Sequence, residues 1–129
     1  MSLPESLSAL HQLEVLALEC GGLKRANLNL LKNLAGLRSL SVWPFSIVHL
    51  AYTKKKVSVQ LQLYDAPGLT LLTGLRVLDL SYCRELPKCD IGALLQLETL
   101  LWHECNRETL PLGLEKLHRL RKLNLSWNY

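Results

Sequence analysis

Apolar residues in this chain follow a spacing that changes partway through each stretch and then starts again. Around Leu16-Ala17-Leu18 and Leu123-Asn124-Leu125 they alternate with other residues, the spacing of a strand with one buried face. At Leu28, Leu31, Leu34, and again at Leu114, Leu117, Leu120, they recur every third residue, which suits helical or 3₁₀ turns. The segments LPESLSALHQLEVLALEC from Leu3 and LPLGLEKLHRLRKLNLSWN from Leu110 keep leucine at the same offsets after Leu-Pro while the residues between them change. Laid out on L-x-x-L-x-L-x-x-(N/C)-x-L, further copies start at Leu37 (with Leu40 and Val42), Leu75 (Leu78, Leu80, Cys83) and Leu97 (Leu100, Trp102, Cys105). The last runs through Leu120, Leu123, Leu125 and Asn128. The steps are 24 residues from Leu13 to Leu37, 22 from Leu75 to Leu97 and 23 from Leu97 to Leu120.

One strand and one turn cannot bury their leucines alone, but stacked copies bury them continuously. The pattern therefore predicts a parallel sheet with strands roughly 4.8 Å apart on one face and short turns on the other. Trp102 fills a leucine site and is assigned to packing. Inward Cys83, Cys105 and Asn128 are expected to bond backbone groups where the chain turns after each strand. From Leu40 to Leu78 is a step of 38 positions, too few for two full copies and too many for one. The best strand there is Val59-Gln60-Leu61-Gln62-Leu63, giving about six copies along the chain. The chain opens on a Leu-Pro segment and stops just after a strand, without the polar caps that protect stacked repeats. A fragment of a longer array, or ends that something covers, is the expectation, with end-to-end self-association through the uncapped repeats as one outcome.

Length and composition add bounds. At 129 residues the chain suits one domain, 1–129, with a sizeable core. A net charge of +4 permits an acidic partner but gives no concentrated basic stripe, so nucleic acid is not the expected ligand. Lys54-Lys55-Lys56 reads first as a solvated loop and second as a nuclear address or acidic-partner contact. The chain has no uninterrupted apolar run of about eighteen residues and no basic-then-apolar leader, so no membrane association is expected. Its four cysteines lack the paired spacing of a secreted disulfide scaffold, which points to a reducing, cytoplasmic setting. The sequon Asn124-Leu125-Ser126 points weakly the other way.

With those residues in place, the chain resembles the leucine-rich repeat superfamily over essentially its whole length, whose period is roughly 20–29 residues. Cys83-Arg84-Glu85-Leu86-Pro87 followed by Ile91-Gly92-Ala93-Leu94 looks like repeats of intracellular plant proteins, including nucleotide-binding immune receptors. It departs by one residue, since Pro87 to Ile91 is four steps where Pro4 to Leu7 is three. The Leu-Pro form is also similar to the Ras-associated scaffold class. No G-x-x-x-x-G-K-[S/T] occurs, so the nucleotide-binding portion of such a receptor is not in this chain. The resemblance implies an α/β leucine-rich repeat solenoid, with a curved parallel sheet on the concave face and short helical or 3₁₀ turns on the convex face. It also implies protein binding on the concave sheet and the adjoining turns.

Mapped onto that pattern, outward strand positions include Val15, Ala17, Gln60, Gln62, Asp79, Leu101, Lys122 and Asn124. The next positions, at the strand exits, hold Trp43, Tyr64, Tyr82, His103, Glu104 and Trp127. Four of the eight aromatic residues fall in this band, and Tyr and Trp are the usual anchors of protein interfaces. The candidate partner-binding set is therefore Trp43, Tyr64, Asp79, Tyr82, Leu101, His103, Glu104, Lys122, Asn124 and Trp127. The competing reading is a ridge that stiffens the sheet edge in a spacer or shielding segment without its own ligand. Cys83, Cys89, His103 and Cys105 make a zinc quartet on paper, but the spacing is not C-x₂-C and buried thiols are the default. A Cys83–Cys105 disulfide is conceivable only under oxidation. No cofactor is implied. No serine–histidine–acid arrangement or carboxylate pair stands out from spacing, so an enzyme is not expected.

Overall fold

Five times among the described residues, a turn built on leucines three residues apart leads into a short strand. The computed structural model describes residues 3–19, 25–43, 62–64, 67–82, 90–103, 105 and 108–128. The turns among the described residues are Glu5–Ala9, Leu28–Leu31, Ile91–Ala93 and Leu114–Lys116, all 3₁₀, and the α-helical turn Pro67–Thr70. Each is extended by the same bonds. The N–H groups of Leu34 and Leu37 donate to the carbonyls of Leu31 and Leu34, those of Leu72 and Leu75 to Leu69 and Leu72, and those of Leu94 and Leu97 to Ile91 and Leu94. Residues three apart eclipse one another in such a turn, so leucine at every third place forms one inward line.

The strands are β1 (Val15–Glu19), β2 (Arg25–Asn27), β3 (Ser39–Trp43), β4 (Gln62–Tyr64), β5 (Val77–Asp79), β6 (Thr99–Leu101) and β7 (Lys122–Asn124). Five of them form one parallel sheet in the order β1-β3-β5-β6-β7. Its register sets Leu16, Leu40, Leu78, Leu100 and Leu123 side by side. The turns contact one another in the same sequence, Glu5–Ala9 on Leu28–Leu31, then Pro67–Thr70, Ile91–Ala93 and Leu114–Lys116. Between turns and sheet lies a single apolar core containing Leu31, Leu34, Leu37, Leu40, Leu69, Leu72, Leu75, Leu78, Leu94, Leu97, Leu100 and Trp102. Trp102 is buried in a leucine place, as its position in the pattern requires.

Adjacent units are joined by one recurring bond pair. The Glu14 carbonyl accepts from the N–H groups of Arg38 and Ser39, and Arg38 from Arg76 and Val77. Likewise Arg76 accepts from Glu98 and Thr99, and Glu98 from Arg121 and Lys122. The residue before each strand thus carries the link to the next unit.

A second, smaller ladder precedes the turns. β2 pairs in parallel with β4, aligning Arg25 with Gln62 and Asn27 with Tyr64. Asp90 bridges Leu112 in parallel, and Ile91 N–H donates to the Leu112 carbonyl at 2.9 Å. This corrects the expected strand Val59–Leu63 in the main sheet. Gln62 and Leu63 belong to β4, β5 pairs directly with β3, and residues 59–61 lie outside the described residues. Among the described residues, five such units contribute to the main sheet. The sequence signals the difference in the approach to each strand: Leu69, Leu72 and Leu75 lead by threes into Leu78, whereas three and six positions before Leu61, the expected counterpart of Leu78, stand the polar residues Ser58 and Lys55.

The two last turns approach closely at Gly113, whose φ of 87° lies in the left-handed region. A Cβ there would run into the Asp90 carboxylate and the Gly92 backbone. Asp90 Oδ1 accepts from Gly92 N–H at 2.8 Å and its Oδ2 meets Lys116 Nζ at 3.4 Å. The Gly92 hydrogen bond, reinforced by the Lys116 charge, holds this carboxyl below its ordinary range. Among the described residues, no helix is long and apolar enough to cross a membrane.

Candidate functional site

The strand exits are built twice from the same parts. In Asp79-Leu80-Ser81-Tyr82, the Asp79 Oδ1 accepts from Ser81 N–H at 3.0 Å. In Asn124-Leu125-Ser126-Trp127, the Asn124 Oδ1 accepts from Ser126 N–H at 3.1 Å and from the Ser126 hydroxyl at 2.6 Å. A short polar side chain bonding the backbone two residues on closes a turn by itself. The residue after each serine then sits in the left-handed region, Tyr82 at φ 66° and Trp127 at φ 59°. Bulky non-glycine residues rarely adopt that conformation, and it costs about 1 kcal/mol or more.

Behind this ridge, polar groups tie the exits together. Cys105 Sγ donates to the carbonyls of Leu80 at 3.3 Å and His103 at 3.4 Å. Asn128 Nδ2 donates to the carbonyls of Trp102 and Leu125, both at 2.8 Å, while its Oδ1 accepts from Cys105 N–H at 3.1 Å. Leu80 and Trp102 hold the same place in successive units. Cysteine and asparagine therefore play the same part, each bonding the core residue of the unit before it. In front, Ser81 Oγ and His103 Nδ1 are 2.8 Å apart. The Tyr82 ring stands edge-on to the His103 ring, with centroids 4.9 Å apart and planes at 74°. Tyr82 N–H donates to the His103 carbonyl at 3.0 Å.

The sequence-derived candidates divide accordingly. Tyr82 and His103 touch, and Leu101 lies in register between Asp79 and Asn124. Lys122 is exposed on β7, and Trp127 is 79% exposed. Trp43 closes β3 opposite Glu19. Two assignments change. Asp79 is only 7% exposed, its carboxylate turned onto Ser81, so it shapes the turn instead of facing a partner. Tyr64 lies in β4 opposite Asn27, off the main sheet altogether, because its strand belongs to the ladder that precedes the turns. Glu104 lies outside the described residues, as do Cys83, Cys89 and the lysine run at 54–56.

The Ser81–His103 pair was invisible from spacing. A signal for it existed in the matched segments Asp79-Leu80-Ser81-Tyr82-Cys83 and Asn124-Leu125-Ser126-Trp127-Asn128, which put serine before an aromatic residue and then a residue at the cysteine-or-asparagine place of the pattern. The pair resembles a nucleophile and its base only on paper. Ser81 is 1% exposed, which leaves no space for a substrate at its hydroxyl. Among the described residues no group of three or more His, Cys, Asp or Glu side chains is placed to hold a metal ion. A cavity of about 130 Å³ opens beyond β6, lined by Trp102, Glu108, Thr109, Leu110, Pro111, Leu125 and Asn128. No family model matches the chain, and no curated protein matches it.

Proposed function

We propose that the chain is a leucine-rich repeat solenoid, five of whose units lie among the described residues, and that it acts as a protein-interaction module. Its contact surface is the strand face and strand-exit ridge carrying Tyr82, Leu101, His103, Lys122 and Trp127. The single observation that supports this most is the matched pair of turns at Asp79–Tyr82 and Asn124–Trp127. Each holds an aromatic residue in a disfavoured backbone conformation, and Trp127 is left almost bare to solvent. The exposure of Trp127 adds nothing to packing within the molecule, so a use outside the fold is the economical reading. A large aromatic ring at such a place has the character of an interface anchor. The setting we propose is a reducing, cytoplasmic one, in which the buried Cys105 remains a thiol. Kinship with intracellular immune-receptor or scaffold repeats is part of the same proposal.

The second reading, a spacer without a ligand, is favoured by one contact: Tyr82 already packs on His103 within the molecule. The test is capture by the immobilised chain, comparing wild type with Trp127→Ala. Proteins retained by wild type and lost by the variant, at an unchanged melting temperature, support the interaction module. Identical captured sets from both would favour the spacer.

A further inference from the structure

We propose that the turn side of the stack takes a second copy of this chain, laid antiparallel, so that a two-fold axis passes along the unit of Leu71. This face lies across the core from the sheet, and the inference is independent of what the exit ridge binds.

The first observation is apolar. Leu71 is 56% exposed and Leu95 is 55% exposed, and they stand on neighbouring turns. The pattern requires a leucine at neither place, because Leu69, Leu72 and Leu75 in one turn, and Ile91, Leu94 and Leu97 in the next, already supply the inward line. At the place of Leu71 the adjoining turns carry Asn33 and Ala93; at the place of Leu95 they carry Thr73 and His118. Each of these two leucines has a described turn on both sides. Their exposure is therefore a property of the turn face, and a pair of bare leucines on it marks a contact.

The second observation is charge. One charged residue precedes each strand of the main sheet: Glu14, Arg38, Arg76, Glu98 and Arg121. Glu98 is half-buried and the other four are exposed. Among the described residues none of the five side chains is in an ion pair. Their spacing follows the rungs of the sheet, roughly 4.8 Å apart. Laid antiparallel on a second copy with Arg76 at the axis, the row is complementary to itself. Glu14 then meets Arg121 and Arg38 meets Glu98, each twice. An axis along the row would set every charge on its own copy. An antiparallel axis moved by half a unit would set Arg38 on Arg121 in one direction and Glu14 on Glu98 in the other. Charge therefore selects both the orientation and the register.

The two observations come from different rows of the turns and agree on one axis. The operation that pairs the charges also sets Leu71 against Leu71 and seats Leu95 of each copy on Ala35 of the other, a leucine on a small side chain. Such a contact uses one patch twice and closes at two copies. Its one unfavourable place is the axis itself, where Arg76 meets Arg76.

Sedimentation equilibrium of the full chain over a wide concentration range tests this. The expected result is a mass that rises from 14.6 kDa, levels at twice that value and falls back as salt is added. Leu71→Glu, which sets two carboxylates against each other, is expected to leave only monomer; a thermal melt establishes that the variant is folded. Arg38→Glu alone, or Glu98→Arg alone, is expected to weaken the dimer about ten-fold, because each change is met twice. Both changes in one chain restore it, although the two residues stand two rungs apart within a copy, roughly 10 Å, too far to pair with each other. Glu14→Arg with Arg121→Glu repeats that test on exposed side chains, and it decides the matter if either change at Arg38 or Glu98 fails to fold. Arg76→Gln is expected to tighten the dimer. A chain that stays monomeric at every concentration overturns the proposal. So does a mass that climbs past two copies, a dimer indifferent to Leu71→Glu, or a double charge exchange that fails to restore association.

Discussion

Leu78 and Leu123 hold the same place in the same parallel register, yet Leu78 is completely buried and Leu123 is 45% exposed. The local conformation is shared, and so are the residue type and the approach by steps of three. What differs is company: β5 has a strand on each side, and β7 has one. The same contrast separates Leu31, Leu34 and Leu37, all sealed, from Leu7, Leu10 and Leu13 at the first turn, which are not. Burial here belongs to the junction between units more than to the unit itself. Stability should then behave as a sum over neighbouring contacts, with the outer units opening before the inner ones.

That contrast can be broken most sharply at the two tryptophans of the last units. Trp102→Ala is expected to cost about 3–5 kcal/mol in urea unfolding, because it empties a sealed core place. Trp127→Ala is expected to stay within about 0.5 kcal/mol of wild type. The leucines sharpen the comparison further. Leu78→Ala should cost about 2–5 kcal/mol, and Leu123→Ala well under half of that, since nearly half of its surface is already in water. Equal losses at the two sites would contradict the neighbour account.

Asn128 sits between the extremes, half-buried but tying three backbone groups. Asn128→Ala should lower stability by about 1–3 kcal/mol. It should also speed amide exchange at Cys105 more than at Leu80, which can be read by hydrogen exchange with mass spectrometry. The smallest effect is expected in acid. Asp90 has a folded-state pKa below its ordinary value of 3.8, so it stabilises the fold while ionised above that value. That contribution fades as pH falls through the lowered pKa. Below pH 3.8, wild type should therefore lose slightly more stability than Asp90→Asn, which keeps a side-chain acceptor without the charge.

Much of this was legible from spacing alone. Leucine at every third residue marked the turns, alternation marked the strands, and the row Leu16, Leu40, Leu78, Leu100, Leu123 followed from aligning the copies. Trp102 and Cys105 could be placed inside because they replace residues whose role was already known. What alternation does not encode is membership. Val59–Leu63 reads as a strand equally well for either ladder, and only the leucine steps leading into Leu78 decide which strand stands beside β3. Asp79 shows a related limit. Its parity along the strand points outward, but a carboxylate can turn back onto a backbone N–H two residues away, and parity is blind to that. The Ser81–His103 contact spans two units, so it becomes readable only once the register is known.

The return of the chain through β4 has a consequence for how this molecule can vary. β3 and β5 pair as though nothing separated them, and β5 takes its alignment from Leu69, Leu72 and Leu75 rather than from the residues before β4. Lengthening a connection costs only about 0.6 kcal/mol for each doubling. The step of 38 from Leu40 to Leu78 is thus compatible with the same rungs that steps of 22 to 24 support elsewhere in the chain.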